Sequence, residues 1–395
     1  MGRDRLYSEN IIADIVDRVR RGEKRMLGRL MTLVENGAPE AREIMRKLHA
    51  HTGRAHLVGI TGSPGVGKST LADRLTTAYR AGGRTVGVVA VDPTSPFTGG
   101  AILGDRVRMP EIGLDPGVFI RSMATRGHLG GVALTTGEII KILDASGKDV
   151  VIVETVGAGQ SEVEIMELVD TTLVVLAPGL GDGVQAIKAG ILEIGDIFVV
   201  NKADRDGAEQ TAAELEAMLD LGEAAHGRRF DSAHFDPAGH HGSPGQEAGR
   251  GLGAGSEEPV GHGAAGVAGA DTSGDEPAQG GHTADASPNA DVDDAWRPPV
   301  LKTVARDDIG IAELRDQLDR HLAYLEKSGL RRKRMVERFQ REIVGTAVEQ
   351  MVREILDPMR ENGMLKELAA KVAAKEMDPH TAVSLILDEG KNVKR

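Results

Sequence analysis

Eight consecutive residues constrain the fold of this chain more than any other feature. Residues 62–69 have the sequence Gly-Ser-Pro-Gly-Val-Gly-Lys-Ser, which matches the phosphate-binding pattern G-x-x-x-x-G-K-[ST] in full. An apolar, strand-like run precedes this loop and a helical pattern follows it, which is the context that the motif requires. The sequence therefore predicts a strand, a glycine-rich loop and a helix in immediate succession.

The chemistry of this loop indicates that it binds phosphate groups. Glycines allow backbone N–H groups to approach phosphate oxygens closely, and the N-terminus of the following helix favours negative charge. We expect Lys68 to be a catalytic cation near the β- and γ-phosphates, and the Ser69 hydroxyl to bind Mg²⁺. The predicted nucleotide-binding residues of the loop are Gly62, Ser63, Pro64, Gly65, Val66, Gly67, Lys68, Ser69 and Thr70.

Short runs rich in Val and Ile alternate with helical stretches between residues 56 and 205, and once more after residue 295. Runs this apolar suit central strands covered on both faces, and the alternation predicts βαβ units and a parallel sheet. The predicted fold is α/β, a P-loop NTPase with a mostly parallel central sheet, flanked by helical N- and C-terminal arms. The predicted strands cover 56–61, 85–92, 118–123, 150–156, 171–177, 197–201 and 300–305.

Composition marks an insertion within the P-loop domain, which is predicted to span residues 51–325. Residues 222–295 contain 16 Gly, and 13 Asp or Glu against 3 Lys or Arg, but only four Leu, Ile or Val. Such a segment cannot bury enough apolar surface to offset its chain entropy, so we expect it to be disordered. Six of the chain's 12 His lie in it, which suits either a metal-binding tract or a polar linker, and we favour the linker.

The two ends of the chain are predicted to be helical arms, covering residues 1–50 and 326–395. Apolar residues recur in both at three- and four-residue spacing, which is typical of amphipathic helices. The apolar stripe of the C-terminal arm needs a surface to cover. We expect that surface to belong to a second copy of the chain, in a homodimer, with packing against the arm's own domain as the alternative.

Composition also disfavours several classes of protein. The absence of Cys from the sequence excludes disulfide scaffolds, thiolate zinc sites and Cys nucleophiles, and it is compatible with a reducing cytoplasm. No run of about 18 apolar residues and no apolar leader is visible, so we expect a cytoplasmic protein with no membrane partner. Outside the acidic insertion the chain is nearly neutral, which disfavours nucleic acid as a partner.

A second motif indicates which nucleotide is bound. Residues 201–204 have the sequence Asn-Lys-Ala-Asp and follow a predicted strand, at the edge where open α/β sheets bind ligands. The carboxylate of Asp204 can accept hydrogen bonds from both N1–H and the exocyclic amine of guanine, whereas adenine presents no such pair of donors. Because an unpaired carboxylate is costly, Asn201, Lys202 and Asp204 predict binding of GTP and GDP rather than ATP.

Three acidic residues are candidate Mg²⁺ ligands beside Ser69. Asp92 and Glu154 each end a predicted strand, where a carboxylate can bind the ion directly or through water, and we count both as catalytic. Asp105, on a loop, is the third candidate. The alternative for each is a carboxylate that caps a helix or stabilises a turn.

These motifs and their neighbours resemble the methylmalonyl-CoA mutase-associated GTPases, the MeaB/ArgK-like group of metallochaperone-type P-loop GTPases. The run Glu-Thr-Val-Gly-Ala-Gly-Gln-Ser-Glu at 154–162, together with Asp-Pro-Thr at 92–94, is far more specific than the P-loop. The other matching stretches lie at 59–71, 90–95, 99–106, 125–131 and 201–204.

The resemblance implies a function. Proteins of this group hydrolyse GTP slowly, form homodimers through the C-terminal arm, and act as chaperones for adenosylcobalamin-dependent methylmalonyl-CoA mutase. They gate the delivery of its cofactor and protect or reactivate it, and a cobalamin adenosyltransferase is a further candidate partner. Residues 181–188 resemble the group's partner-sensing switch, which implies a role for Lys188 coupled to nucleotide or partner. A solvated helix lysine is the alternative for Lys188.

The loop after the last predicted strand departs from the group's pattern. The group often has Ser-Ala-Arg there, where backbone groups touch guanine, and this chain has Val304, Ala305 and Arg306. The resemblance therefore implies backbone contacts to guanine at these three residues, but no contact from a serine hydroxyl.

Loops 93–108 and 155–162 are the expected switches, since contacts to the γ-phosphate can order such segments. No residue is assigned to orient the attacking water, because Gln160 lies three residues after Gly157 rather than directly after it. Three other interpretations stay open. They are a nickel-insertion metallochaperone GTPase, which the absence of Cys disfavours, a small-molecule P-loop kinase, which residues 201–204 disfavour, and a nucleotide-binding scaffold with negligible turnover.

Overall fold

The apolar runs of the sequence form one parallel sheet in the computed structural model, which describes residues 8–92, 112–124, 131–155, 166–179, 194–226 and 295–392. Within these residues seven strands are all parallel, in the order β3-β2-β4-β1-β5-β6-β7. They are β1 His56–Thr61, β2 Val86–Asp92, β3 Val118–Ala124, β4 Val150–Thr155, β5 Thr171–Leu176, β6 Ile197–Asn201 and β7 Val300–Thr303. The predicted α/β fold is confirmed.

The helices of the described residues follow the predicted alternation. They are α1 Glu9–Arg20, α2 Lys24–Glu35, α3 Pro39–Leu48, α4 Lys68–Ala81, α5 Gly131–Ala145, α6 Ala208–His226, α7 Ile311–Lys327, α8 Leu330–Met351, α9 Asp357–Glu361, α10 Met364–Ala373 and α11 Pro379–Asn392. A π-helical turn, Val352–Leu356, joins α8 to α9. None of these helices combines the length and the apolar character that crossing a bilayer requires.

The position of β1 determines where a ligand can bind. This strand lies between β4 and β5, so the order of strands reverses beside it. In open α/β sheets, ligands bind beyond the carboxyl ends of the strands at such a point. The register sets Ile60 of β1 beside Glu154 of β4, and β1 continues directly into the glycine-rich loop. The sheet thus brings this loop and a predicted acidic ligand to one edge, which we call the carboxyl edge.

Helices cover both faces of the sheet, because strands that are buried on both sides need apolar partners on both. α4 and α7 share one hydrophobic cluster with the strands, to which Leu71, Leu75 and Leu314 contribute fully buried side chains. α5 lies in a second cluster together with α1, α2 and α3. α6 packs beside β6 and β7 through a third cluster.

The N-terminal helices belong to the hydrophobic core of the domain. Their apolar residues recur at the predicted helical spacing, and the side chains of Val19, Leu27, Leu30 and Leu48 are all fully buried. These residues join the cluster that contains α5 and one face of the sheet. The helices predicted for residues 1–50 are therefore present, and they form a layer of the core.

The C-terminal helices are arranged differently. Within α8, every residue of which is described, no side chain is buried. Several large apolar side chains of α8 and α11 are instead exposed. They are Val336, Ile343, Val344, Val348, Met351, Val383, Leu385 and Leu387.

The observed bounds of β1 to β6 agree with the predicted ones to within one residue, and two other boundaries differ by more. β7 ends at Thr303 rather than at residue 305, because Ala305 begins a turn of 3₁₀ helix. α6 continues to His226, past the predicted start of the insertion at residue 222, since the alanines at 224 and 225 favour helix. Residues 227–294 of the predicted insertion lie outside the described residues.

Candidate functional site

Two glycines of the phosphate-binding loop combine a positive φ angle with a lack of room for any side chain. Gly62 and Gly67 have positive φ angles of 137° and 100°. A Cβ at Gly62 would collide with the carbonyl oxygen of Val175 in β5, and a Cβ at Gly67 would collide with the side-chain amide of Asn201. Val66 is buried beneath the loop. The loop is thus packed against β5 and against the end of β6.

The exposed surface of the loop comprises Ser63, Pro64 and Gly65, and Thr70 is exposed in the first turn of α4. Backbone groups of exposed loop residues at a helix N-terminus suit anion binding, since the helix dipole adds positive potential there. The predicted phosphate-binding segment therefore has an accessible side.

Lys68 is held within the loop. Its side chain is 6% exposed, and its ammonium donates hydrogen bonds to the carbonyl oxygens of Gly62 at 2.6 Å and Ser63 at 3.1 Å. A buried ammonium needs such partners. The cation is therefore fixed at the start of α4 by the loop itself, which is where a phosphate group would meet it.

Ser69 and Glu154, two of the predicted Mg²⁺ ligands, are in contact. The Ser69 hydroxyl donates to Oε1 of Glu154, at 2.5 Å, and Glu154 is almost completely buried at the end of β4. Mg²⁺ requires oxygen ligands, and this pair supplies a hydroxyl and a carboxylate directly beside the loop. The residues present therefore fit this ion.

The Asn201 side chain connects three loops. Its Nδ2 donates to the carbonyl oxygen of Val66 at 2.8 Å. Its Oδ1 accepts hydrogen bonds from Thr303 Oγ1 and from the backbone N–H of Ala305, both at 3.1 Å. Lys202, with a positive φ of 59°, donates from Nζ to the carbonyl oxygen of Gly65 at 2.6 Å. The 201–204 segment is thus bound to the P-loop by two side chains.

Thr303 contacts Asn201 in this site, although the sequence did not indicate it. It is fully buried at the end of β7, two residues before Ala305, and its hydroxyl fixes the orientation of the Asn201 amide. The only signal in the sequence is a hydroxyl residue at the end of an apolar strand, which is too common to indicate a site.

Asp204 lies across from Arg306. The carboxylate and the guanidinium are 3.8 Å apart, with 43% and 75% of their side chains exposed, and Arg306 also pairs with Asp307. A pair this exposed contributes little free energy, so Asp204 is accessible to a competing hydrogen-bond donor. The N–H of Val304 donates to Ile309 and that of Ala305 to Asn201, so both groups have protein partners.

The remaining predicted residues are only partly described or lie outside the described residues. Asp92 ends β2 as predicted, but nothing is described of its side chain. Asp105 and Lys188 lie outside the described residues, as do most of the two predicted switches and Gln160.

Comparisons with known proteins identify the family of the chain. The family model described as "Methylmalonyl Co-A mutase-associated GTPase MeaB" matches residues 27–360. A putative GTPase of Pyrococcus abyssi is 42% identical over 379 residues, which cover 96% of this chain and 97% of that protein. The methylmalonic aciduria type A homolog of Caenorhabditis briggsae, a mitochondrial protein, is 36% identical over 231 residues, which cover 54% of this chain and 56% of that protein.

A solved structure supports the fold. The crystal structure of a LAO/AO transport system kinase aligns with a TM-score of 0.59 at 22% identity, covering 97% of this chain and 98% of that one. A likeness at this identity concerns the fold alone, whereas the family model and the Pyrococcus relative concern the sequence and favour a GTPase over a small-molecule kinase. The chain therefore belongs to the family of methylmalonyl-CoA mutase-associated GTPases MeaB, and it is a P-loop GTPase.

Proposed function

We propose that this GTPase is a chaperone of adenosylcobalamin-dependent methylmalonyl-CoA mutase, which gates the loading of the mutase's cofactor and protects or reactivates the enzyme. The observation that carries the proposal is the family match over residues 27–360, since the family is described by its association with that mutase. A cobalamin adenosyltransferase is a further candidate partner. We expect the protein to meet these partners in the cytoplasm.

The P-loop and Lys68 have the central role in the proposed hydrolysis. Transfer of a phosphoryl group to water needs positioning and charge neutralisation more than covalent chemistry. Lys68 is already fixed by the carbonyls of Gly62 and Ser63, so it costs little reorganisation to stabilise charge on the γ-phosphate. Asp92 and Lys188 are proposed to assist, the latter as a residue coupled to nucleotide or partner.

Mg²⁺, when bound, would neutralise charge on the β- and γ-phosphate oxygens. Ser69 and Glu154 are proposed to hold it, because their oxygens lie 2.5 Å apart beside the loop. Asp92 and Asp105 are the other proposed ligands.

Guanine is proposed to bind at Asp204. Asn201 fixes the segment to the P-loop, and Lys202 spans from the segment to Gly65, so the base and the phosphates would be positioned by one connected unit. Val304, Ala305 and Arg306 are proposed to border the base from the adjoining loop.

We further propose that the protein is a homodimer through its C-terminal helices. The orientation of α8 supports this proposal. Its arginines face the domain, while Ile343, Val344 and Met351 are exposed. A contiguous apolar surface of this kind is typical of an interface.

The first experiment measures nucleotide selectivity by calorimetry with Mg²⁺, using GDP, a non-hydrolysable GTP analogue and an ATP analogue. We expect guanine-selective binding that falls by roughly 100-fold in Asp204→Ala, because two hydrogen bonds to a carboxylate are lost. Asp206→Ala is the matched control, since Asp206 is an exposed carboxylate two residues away, and it should bind like the wild type. Equal binding of ATP would contradict the proposed guanine site.

The second experiment tests the partner. Single-turnover GTP hydrolysis is measured with and without the methylmalonyl-CoA mutase of the same organism, loaded with adenosylcobalamin. We expect a complex on gel filtration and a rate raised by roughly tenfold, since a partner that binds the hydrolysis-competent state must favour it. Guanine binding without any complex or rate change would refute the chaperone role and leave the GTPase assignment intact.

A further inference from the structure

Helix α8 is docked on the domain by arginines. Arg331, Arg334, Arg338 and Arg341 are spaced three, four and three residues apart, so they lie within an arc of about 80° on the helix. We call these four residues the arginine stripe. Their guanidinium groups face the amino-terminal edge of the sheet, opposite the carboxyl edge at which the P-loop lies.

The stripe binds the segments that lead into β1, β5 and β6. Arg331 donates to the carbonyl oxygen of Ala55, just before β1, at 2.7 Å. Arg334 donates to the carbonyl oxygen of Asp170, just before β5, at 2.5 Å, and forms a bidentate contact with the Asp196 carboxylate, just before β6, at 2.9 and 3.1 Å.

The other two arginines extend this contact. Arg338 donates to the carbonyl oxygen of Leu168 at 2.6 Å and lies 3.4 Å from the Asp170 carboxylate. Arg341, at the more exposed end, lies 3.3 Å from the Glu167 carboxylate.

We call the contact between the arginine stripe and the segments before β1, β5 and β6 the junction. Its two aspartates are buried and hydrogen-bonded to residues of the strands. Asp170 and Asp196 are 2% and 3% exposed, and each also accepts a hydrogen bond from a strand N–H, that of Leu57 and that of Thr172 respectively. Burial alone would raise the pKa of Asp196, but the charge of Arg334 and the neighbouring groups outweigh burial and hold this pKa below its usual range. Asp196 is therefore ionised at neutral pH, and Arg334 is the guanidinium that faces its charge.

The same three strands meet the P-loop at their other ends. β1 continues into Gly62, the carbonyl of Val175 in β5 lies against Gly62, and Asn201 at the end of β6 bonds to Val66. Every residue of these strands is buried. Closely packed strands transmit displacement rather than absorb it, so the junction and the nucleotide site are joined by three short, stiff elements.

We propose that the arginine stripe couples docking of helix α8 to guanine-nucleotide binding, so that the C-terminal helices and the P-loop site regulate each other. Such coupling requires an element with two arrangements, and the proposal assigns this role to α8, which is docked in this structure and would loosen when the arginine contacts break. Coupling of this kind is reciprocal: nucleotide favours docking by the factor by which docking favours nucleotide. The inference rests on nucleotide binding at the proposed guanine site and not on the proposed mutase partner.

The test measures both sides of this reciprocity in the full chain. Hydrogen exchange of α8 is followed by mass spectrometry with and without GDP and Mg²⁺, and the GDP affinity is measured by calorimetry. In the wild type we expect GDP to slow exchange in α8 by at least fivefold, the low end of typical coupling. Arg334→Gln should speed up this exchange and weaken GDP binding by a similar factor, on the order of tenfold.

Arg332→Gln is the matched control, because it makes the same change of charge from an exposed position two residues away, on the other side of α8. It should change neither quantity. If Arg334→Gln fails to fold, Arg341→Gln at the exposed end should shift both quantities in the same direction by a smaller factor.

Two results would overturn the proposal. One is faster exchange of α8 in the variant with GDP affinity within twofold of the wild type, and the other is wild-type exchange in α8 that does not respond to bound GDP. Because GDP binding by the wild type is measured in the same series and no mutase is added, failure of the coupling is distinguishable from failure of the proposed function.

Discussion

The N-terminal and C-terminal helices meet the same domain in opposite ways. α1, α2 and α3 bury leucines, valines and methionines in one cluster with α5 and the sheet. α8 has no fully buried side chain: its arginines contact the domain, Met335 and Phe339 are half-buried, and five of its large apolar side chains are exposed. Apolar burial contributes most of the free energy of folding and is non-directional. Polar docking contributes less net stability but fixes the orientation of the helix.

This difference suggests that the two ends serve different purposes. The N-terminal helices complete the core, because they cover the side of α5 that faces away from the sheet, and without them that side would lose its apolar partners. The C-terminal helices are held by oriented polar contacts, and part of their apolar surface is exposed.

The largest expected effect concerns the N-terminal cluster. Leu30→Ala should lower the free energy of unfolding by about 2–5 kcal/mol, since it removes a fully buried side chain and leaves a cavity. Ile343→Ala on α8, an exposed position, should change it by no more than about 0.5 kcal/mol at a protein concentration where the chain is monomeric. Urea denaturation measures the free energy of unfolding of both variants. Equal losses would contradict the expected difference between the N-terminal and C-terminal helices.

A smaller loss of folding stability is expected at low pH, because two histidines of the core are buried. Burial lowers the pKa of His321 to about 4 and that of His56 to about 3. The unfolded chain protonates these histidines below about pH 6.5, but the folded protein does not until far lower pH. Their neutral forms therefore stabilise the fold fully above pH 6.5, and stability falls as the pH drops below it, by about 2 kcal/mol per histidine at pH 5.

Urea denaturation at pH 7.5 and pH 5 tests this expectation. His321→Gln should show a smaller loss between the two pH values than the wild type, because one of the two buried imidazoles is gone. Asp196 does not interfere, since its lowered pKa keeps it ionised throughout this window. The same loss in both proteins would show that His321 is not the responsible group.

The smallest effect concerns self-association. Ile343→Ser places a hydroxyl in the exposed apolar surface of α8, and we expect it to weaken the homodimer by roughly tenfold, about 1.4 kcal/mol, without lowering the stability of the monomer. Analytical ultracentrifugation over a range of concentrations measures this change. Glu337→Ser, on the same helix, is the control, and a dimer that is equally sensitive to both would place the interface elsewhere.

Most of the sheet was predictable because its signal is local. Each central strand is a short apolar run. Because both of its faces are buried, its sequence does not alternate between polar and apolar residues, and the run is easy to recognise. The contact of Ser69 with Glu154 was predictable as well, because the P-loop motif fixes one partner and the end of β4 fixes the other. These features need only a motif and the parallel order of the strands.

The arginine stripe was not predictable for the opposite reason. Basic residues at helical spacing are typical of a solvated face, and the sequence of α8 gives no sign that its charged side is turned inward. The partners, Asp170 and Asp196, lie far away in the sequence at the starts of two strands, where an aspartate usually caps or ends a turn. The contact exists only once the sheet has assembled.

The chain's one tryptophan lies at this junction. Trp296 donates from its indole nitrogen to the carbonyl oxygen of Asp196 at 2.8 Å, and its ring lies 4.7 Å from that of His321. Indole emission depends on its immediate surroundings, and an adjacent imidazole quenches it strongly once protonated. The unlabelled protein therefore contains its own optical probe, and a fluorimeter can follow docking, acid titration and nucleotide response at one place in the molecule.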